Sequence, residues 1–167
     1  MRFAIEQRFA RAADEVARAY ADPGLYRALV GLPKLTAPEV VHHAVEGGVV
    51  DLQVRYRFGG ELSPAARAVI DPDRLSWVEH STHDLARRRV RFRMVPDHYR
   101  DRFRCEGSYR FEDDGDGCRR LGDAEVRVKA LLVAGAVEGA IVSGLEEHLV
   151  DEVPVVERYL AAQRGGA

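Results

Sequence analysis

The stretch Ala134–Leu149, AGAVEGAIVSGLEEHL, has the spacing of a helix yet carries Gly135, Gly139 and Gly144 inside it. An interior glycine costs a helix about 1 kcal/mol relative to alanine, so this segment gives up stability. Two readings are open: the missing side chains leave room beside the helix, or they let its backbone approach another element closely. Downstream, Ile141, Leu145, Leu149, Val153, Val156 and Leu160 continue one apolar stripe, which extends the helix over Ala136–Gln163. At 1.5 Å per residue that is about 42 Å of helix. Pro154 lies inside it and is expected to bend it, because its ring removes a backbone donor and crowds the preceding turn.

Upstream the pattern is different. Residues 2–10, RFAIEQRFA, alternate with Phe3, Ile5 and Phe9 on one face, the mark of a half-buried strand. Two short helices follow, at Ala12–Ala21, stopped by Asp22-Pro23-Gly24, and at Leu25–Val30. Period-two patterning then predicts strands at Glu39–Val45, Val49–Phe58, Ala65–Ile70, Leu75–Thr82, Arg88–Val95, Arg102–Glu112 and Arg119–Ala130. Their short Gly-, Asp- and Pro-containing links allow only antiparallel neighbours. The fold class is therefore α+β, as one domain over residues 1–163 with a frayed tail at 164–167.

One face of these strands is apolar and the other charged, so the sheet needs a single cover, and the C-terminal helix is the only long amphipathic one. A large antiparallel sheet curls. A helix with Gly135, Gly139, Ser143 and Gly144 in its first half is expected to leave a hollow there, with Leu145, Leu149, Val156 and Leu160 making the solid core. Candidate lining residues are Tyr56, Phe58, Trp77, Phe92, Met94, Phe103, Tyr109, Glu138, Ile141 and Val142.

The opening Phe3–Tyr26, FAIEQRFARAADEVARAYADPGLY, together with the element order, resembles the START-like superfamily, also called SRPBCC. Within it the chain is similar to a bacterial family of START-like proteins of unassigned function. The resemblance covers about residues 1–163 and implies a helix-grip fold, in which a curved antiparallel sheet wraps around a long C-terminal helix. It also implies a hydrophobic or amphipathic small molecule (lipid, polyketide or aromatic compound) held between them by a carrier or sensor. Members also include cyclases and aromatases, which keeps an enzymatic use of the cavity open; no catalytic residue carries over.

Glu138 falls on the helix face of Ala134, Ile141, Val142 and Leu145, so it is expected to aim a carboxylate into the hollow as a binding group or an acid-base, unless it only reaches solvent near the helix start. Tyr56, Tyr109 or Glu79 could share proton transfer with it. If Trp77 faces inward, Glu79 and Ser81 go with it; otherwise Val78 and His80 do. Gln7 shares the face of Ile5 and Phe9 and needs buried partners. Glu152, on the buried side four residues after His148, is expected to support the helix or meet a sheet arginine.

Other chemistries lack support. No metal site is expected: His42 and His43 point to opposite faces, and His80, His83 and Asp84 lack a further ligand at zinc spacing. Glu112–Gly117 imitates a calcium loop but reads as a solvated hairpin turn. Neither G-x-G-x-x-G nor a Walker loop occurs, so no nucleotide cofactor is expected. Ser143-Gly144 lacks a strand-turn-helix setting for a nucleophile. At net charge −2, with 46% hydrophobic and 31% charged residues, the 167-residue chain has no global pull on nucleic acid. Only Lys34 and Lys129 among the 25 basic residues are lysines, an imbalance that reads as codon bias before function. The row Arg89, Arg91, Arg93, Arg102, Arg104 and Arg110 leaves open an interaction module for an acidic partner. Cys105 and Cys118 are too few for a disulfide framework, no stretch is apolar enough to cross a membrane, and the N-terminus lacks the apolar run of a leader, so a cytoplasmic protein is expected. Oligomeric state is not legible.

Overall fold

A computed structural model describes residues 1–35, 38–59, 64–67, 71–130 and 134–165. Alternation sets β1 (Arg2–Phe9), which buries Phe3, Ile5, Gln7 and Phe9 and exposes the residues between them. In α1 (Ala13–Tyr20) the buried Ala13, Val16, Ala17 and Tyr20 share one face. It ends where Asp22 and Pro23 start α2 (Pro23–Ala28), with Asp22 Oδ1 accepting the Gly24 N–H at 2.8 Å.

The sheet continues with β2 (Glu39–Glu46), β3 (Val49–Arg57), β4 (Ser76–Asp84), β5 (Arg89–Pro96), β6 (Phe103–Asp114) and β7 (Gly117–Val128). All pairs are antiparallel, in the order β1-β7-β6-β5-β4-β3-β2. Consecutive strands pair from β2 to β7, and β1 closes the far edge on β7. The Asp-rich segment is the β6–β7 turn, with exposed Gly115 at φ 62°, a left-handed conformation suited to glycine. The strand expected at Ala65–Ile70 is not formed over its described part. Pro64–Arg67 is a helical turn, α3, with proline at its first position, and residues 68–70 lie outside the described residues.

Helix α4 (Ala134–Gly165) runs for 32 residues, unbroken through Pro154, which is exposed. It packs chiefly on β1 and β7, while α1 lies on β6 and β7, so the cover is shared. Val16, Leu25, Leu52, Val126 and Val156 are fully buried in the layer between. Each such side chain contributes about 1.5–3 kcal/mol by leaving water. Gly122 of β7 faces Tyr109 of β6; a Cβ there would stand 2.6 Å from Tyr109 Cα and 2.1 Å from the Ser108 carbonyl oxygen. The strands can approach there only because the side chain is missing.

Candidate functional site: a cavity with a polar floor

Phase and register assemble the floor. Gln7 follows the inward parity of Ile5 and Phe9, Arg120 follows that of Ala124 and Val126, and β1 meets β7 with Gln7 directly opposite Arg120. One turn of α4 brings Glu152 down onto the pair. Arg120 Nη1 donates to Glu152 Oε2 at 3.1 Å and to Gln7 Oε1 at 2.8 Å. Gln7 Nε2 donates to Glu152 Oε2 at 3.1 Å and to the Leu149 carbonyl, and the Tyr20 hydroxyl donates to Glu152 Oε2 at 2.8 Å. The guanidinium carbon lies 3.8 Å from the Tyr109 ring centroid and 4.3 Å from that of Tyr20. Side chains of Arg120 and Glu152 are only 9% and 8% exposed, so each charge depends on the other and on these rings for the solvation it has lost.

Above this floor is a cavity of about 70 Å³ between the sheet and the middle of α4. Tyr56, Trp77, Phe92, Met94 and Tyr109 supply its sheet wall, and Leu145, His148, Leu149 and Glu152 its helix wall. Tyr56 and Trp77 stack at 5.9 Å with 23° between ring planes. Trp77 faces inward, and Glu79 and Ser81 go with it, whereas His80 lies on the other face. Burial pushes the Glu79 carboxyl up to about 7, with Arg120 opposing and Glu152 adding to the rise. Burial also lowers the pKa of His148, which favours the neutral form of its ring.

Several expectations need correction. The hollow is not beside the glycines: among the described residues a Cβ on Gly135 or Gly144 would meet nothing within 4 Å, and one on Gly139 only Met1 Cε at 3.8 Å. These positions neither shape the cavity nor permit close approach. Glu138 points away from the interior. Its carboxylate binds the Met1 α-amino group at 2.9 Å and accepts the Val128 N–H at 2.8 Å, and those two donors lower its pKa. Phe58 lies past the end of β3 in a bridge with Leu35, and Phe103 opens β6 opposite Val128 at the sheet's end. Val142 is buried in the core and Ile141 packs half-buried against it. None of these four lines the cavity.

Arg120 escapes a reading of the sequence in which arginine faces outward by default. Its parity with Ala124 and Val126 is the signal that marks it. The outer face is charged but of mixed sign: Arg104 pairs with Glu106, Arg110 with Glu112 and Arg127 with Glu125, and a broad depression across it sets Arg91 and Arg93 beside Asp51, Glu106 and Asp123. Among the described residues no group of His, Cys, Asp or Glu is placed to hold a metal, and no helix is long and apolar enough to cross a membrane.

Several solved structures share this architecture. One is TTHA0849 from Thermus thermophilus, at TM-score 0.68 and 19% identity, covering 98% of this chain and 99% of that one. The Zhui aromatase/cyclase from Streptomyces sp. R1128 matches at TM-score 0.65 and 17% identity over 96% and 93% of the two chains. Norcoclaurine synthase from Thalictrum flavum matches at 0.63 and 20% over 96% and 86%. At such identities the likeness is one of fold. No curated protein matches the sequence. The chain is a seven-stranded curved sheet gripping a long C-terminal helix, and the family model described as "Protein of unknown function (DUF2505)" matches its residues 4–160, so the chain belongs to that family.

Proposed function

We propose that the protein binds a small hydrophobic or amphipathic molecule in the cavity between the sheet and α4, as a carrier or sensor working in the cytoplasm within one domain of residues 1–163. The observation that carries this reading is the aromatic-walled cavity over a polar floor, the usual composition of a small-molecule site. Size constrains the ligand. The cavity has about half the volume of the ~150 Å³ void that accepts benzene, so a group of about three to four heavy atoms fits inside as it stands. A lipid, polyketide or larger aromatic compound would place one end there and the rest in the opening. The buried, unpaired Cys105 and Cys118 suit a reducing compartment.

An enzymatic use of the same cavity is the second reading, and Glu79 favours it, because a carboxyl held at about 7 can both give and take a proton near neutrality. Tyr56, Tyr109 or Glu79 is better placed for that role than Glu138. The reactions named for the similar proteins above belong to those proteins.

Native mass spectrometry of the purified protein, with a thermal-shift screen of aromatic and short aliphatic compounds, tests both readings. Binding to the folded state alone must raise the melting temperature. A co-purified or stabilising compound recovered unchanged supports binding, and its conversion to a product, lost in Glu79→Gln, supports the enzyme. A protein that carries nothing and is stabilised by nothing overturns both.

A further inference from the structure

Six buried side-chain nitrogens have no hydrogen-bond partner among the described residues, and three of them, Trp77 Nε1, Arg120 Nε and His148 Nδ1, belong to residues that line this cavity. An unmet buried donor is costly, and native structures satisfy nearly all of them, with a ligand or water where protein offers nothing. Trp77 Nε1 and Arg120 Nε can only donate. Glu79, on the same wall, makes no hydrogen bond or ion pair among the described residues.

Charge then decides what kind of acceptor fits. The Arg120 cation is already matched by Glu152 at 3.1 Å and lies over two rings, so it is not free for a ligand anion. With Glu79 protonated the interior is neutral as a whole. An ammonium group could give its protons to Glu79 or His148 Nδ1 but would leave both orphaned N–H groups unmet. A carboxylate would bring a charge with no counterion. A carbonyl oxygen has two lone pairs, brings no proton that needs an acceptor, and is uncharged.

Resting on the binding reading above, we propose that this cavity holds an uncharged carbonyl group of its ligand, with Trp77 Nε1, Arg120 Nε and the protonated Glu79 carboxyl as donors, and rejects ammonium and carboxylate analogues. Binding is then tied to the proton on Glu79. The groups around that carboxyl are Tyr56 on β3, Cys105 and Tyr109 on β6, Arg120 on β7, Tyr26 on α2, and His148 and Glu152 on α4. Of these, Arg120 lowers and Glu152 raises its pKa, and burial is the larger effect.

Trp77 is the only tryptophan in the chain, so its fluorescence reports the cavity directly. Titration with four probes of equal heavy-atom count, acetone, 2-propanol, isopropylammonium and acetate, is expected to rank acetone first, at least tenfold ahead of the two ions. Acetone affinity should fall about tenfold from pH 6 to pH 8, as the competent, protonated fraction falls. Glu79→Gln, which keeps a donor but cannot titrate, should weaken binding at pH 6 and remove the pH dependence. Tighter binding of either ion, or an acetone affinity that does not change with pH in the native protein, overturns the carbonyl proposal while leaving a binding cavity intact. If no probe and no compound of the thermal-shift screen binds, the cavity reading itself fails, and this proposal with it.

Discussion

The two halves of α4 are held to the sheet by different physics. From Glu152 onward the helix is anchored by burial: Glu152 sits in the Arg120 network, and Val155, Val156 and Leu160 are packed in the core. Before it, from Ala134 to Glu147, polar contacts near the surface are prominent: Glu138 to the Met1 amino group, and Lys34 to Glu147 at 2.8 Å. Val137 and Val142 are the only fully buried residues there. The cavity lies at the junction, against Leu145, His148 and Leu149. The difference teaches that interior glycines in this helix mark where packing is sparse, while the cavity forms where large aromatic residues of the sheet meet a charged pair that they cannot close over.

The largest effect expected is at the anchor. Arg120→Met leaves Glu152 as a buried charge without its partner, and unfolding in denaturant should show a loss of about 3–5 kcal/mol. The double variant with Glu152→Leu should recover most of it, since an apolar pair of similar volume is often as stable as a buried ion pair. A double variant no better than the single one would mean that the network does not hold the second half of the helix.

A smaller effect is expected from two buried groups that titrate in opposite directions. Glu79 is raised to about 7 from 4.5, so the native state binds the extra proton between these values and stability falls as pH rises through that window. His83 is lowered to about 4 from 6.5, mainly by burial, so the unfolded state takes up the proton first and stability falls as pH drops through that window. The two slopes cancel between about pH 4.5 and 6.5, so melting temperature against pH should be nearly flat there, falling only below about pH 4.5 and again between about 6.5 and 7. Glu79→Gln removes one of the opposing slopes, so the variant's stability should rise with pH across that window, and the native-minus-variant difference should fall by on the order of 3 kcal/mol from pH 4.5 to 7. A difference that does not change with pH would show that the Glu79 carboxyl is not desolvated.

The smallest effect has the opposite sign and probes the first half of the helix. Gly144→Ala adds a methyl group that meets none of the described residues within 4 Å and should stabilise the protein by up to about 1 kcal/mol. Ligand binding should be unaffected, since Gly144 does not line the cavity. A variant that is more stable but has lost binding would return the glycines to the site.

Element order is legible because each element carries its own period. Alternation in RFAIEQRF and in the hairpin strands, Gly and Asp at the turns, and the four-four-three spacing of α4 are local features that need no knowledge of neighbours. Where the local signal is short, as at Pro64–Arg67, the pattern of a strand gives a helical turn instead. Four of the aromatic and apolar cavity residues, Tyr56, Phe92, Met94 and Tyr109, follow from strand parity, whereas the inward frame of Trp77 is set only by the fold.

What parity does not supply is the partner across space. Gln7 and Arg120 are 113 positions apart, and Arg120 and Glu152 are 32 apart; only the closing of β1 on β7 beneath α4 makes them one network. The same holds for Glu138, whose helix face is fixed by its position but whose partner, the Met1 amino group, is fixed by where β1 begins. By itself the sequence determined the succession of strands and helices and which face of each is apolar, because those depend on neighbours along the chain. Tertiary structure alone decided where the void lies and which buried charge neutralises which, because packing volume and electrostatic pairing act between residues distant in sequence.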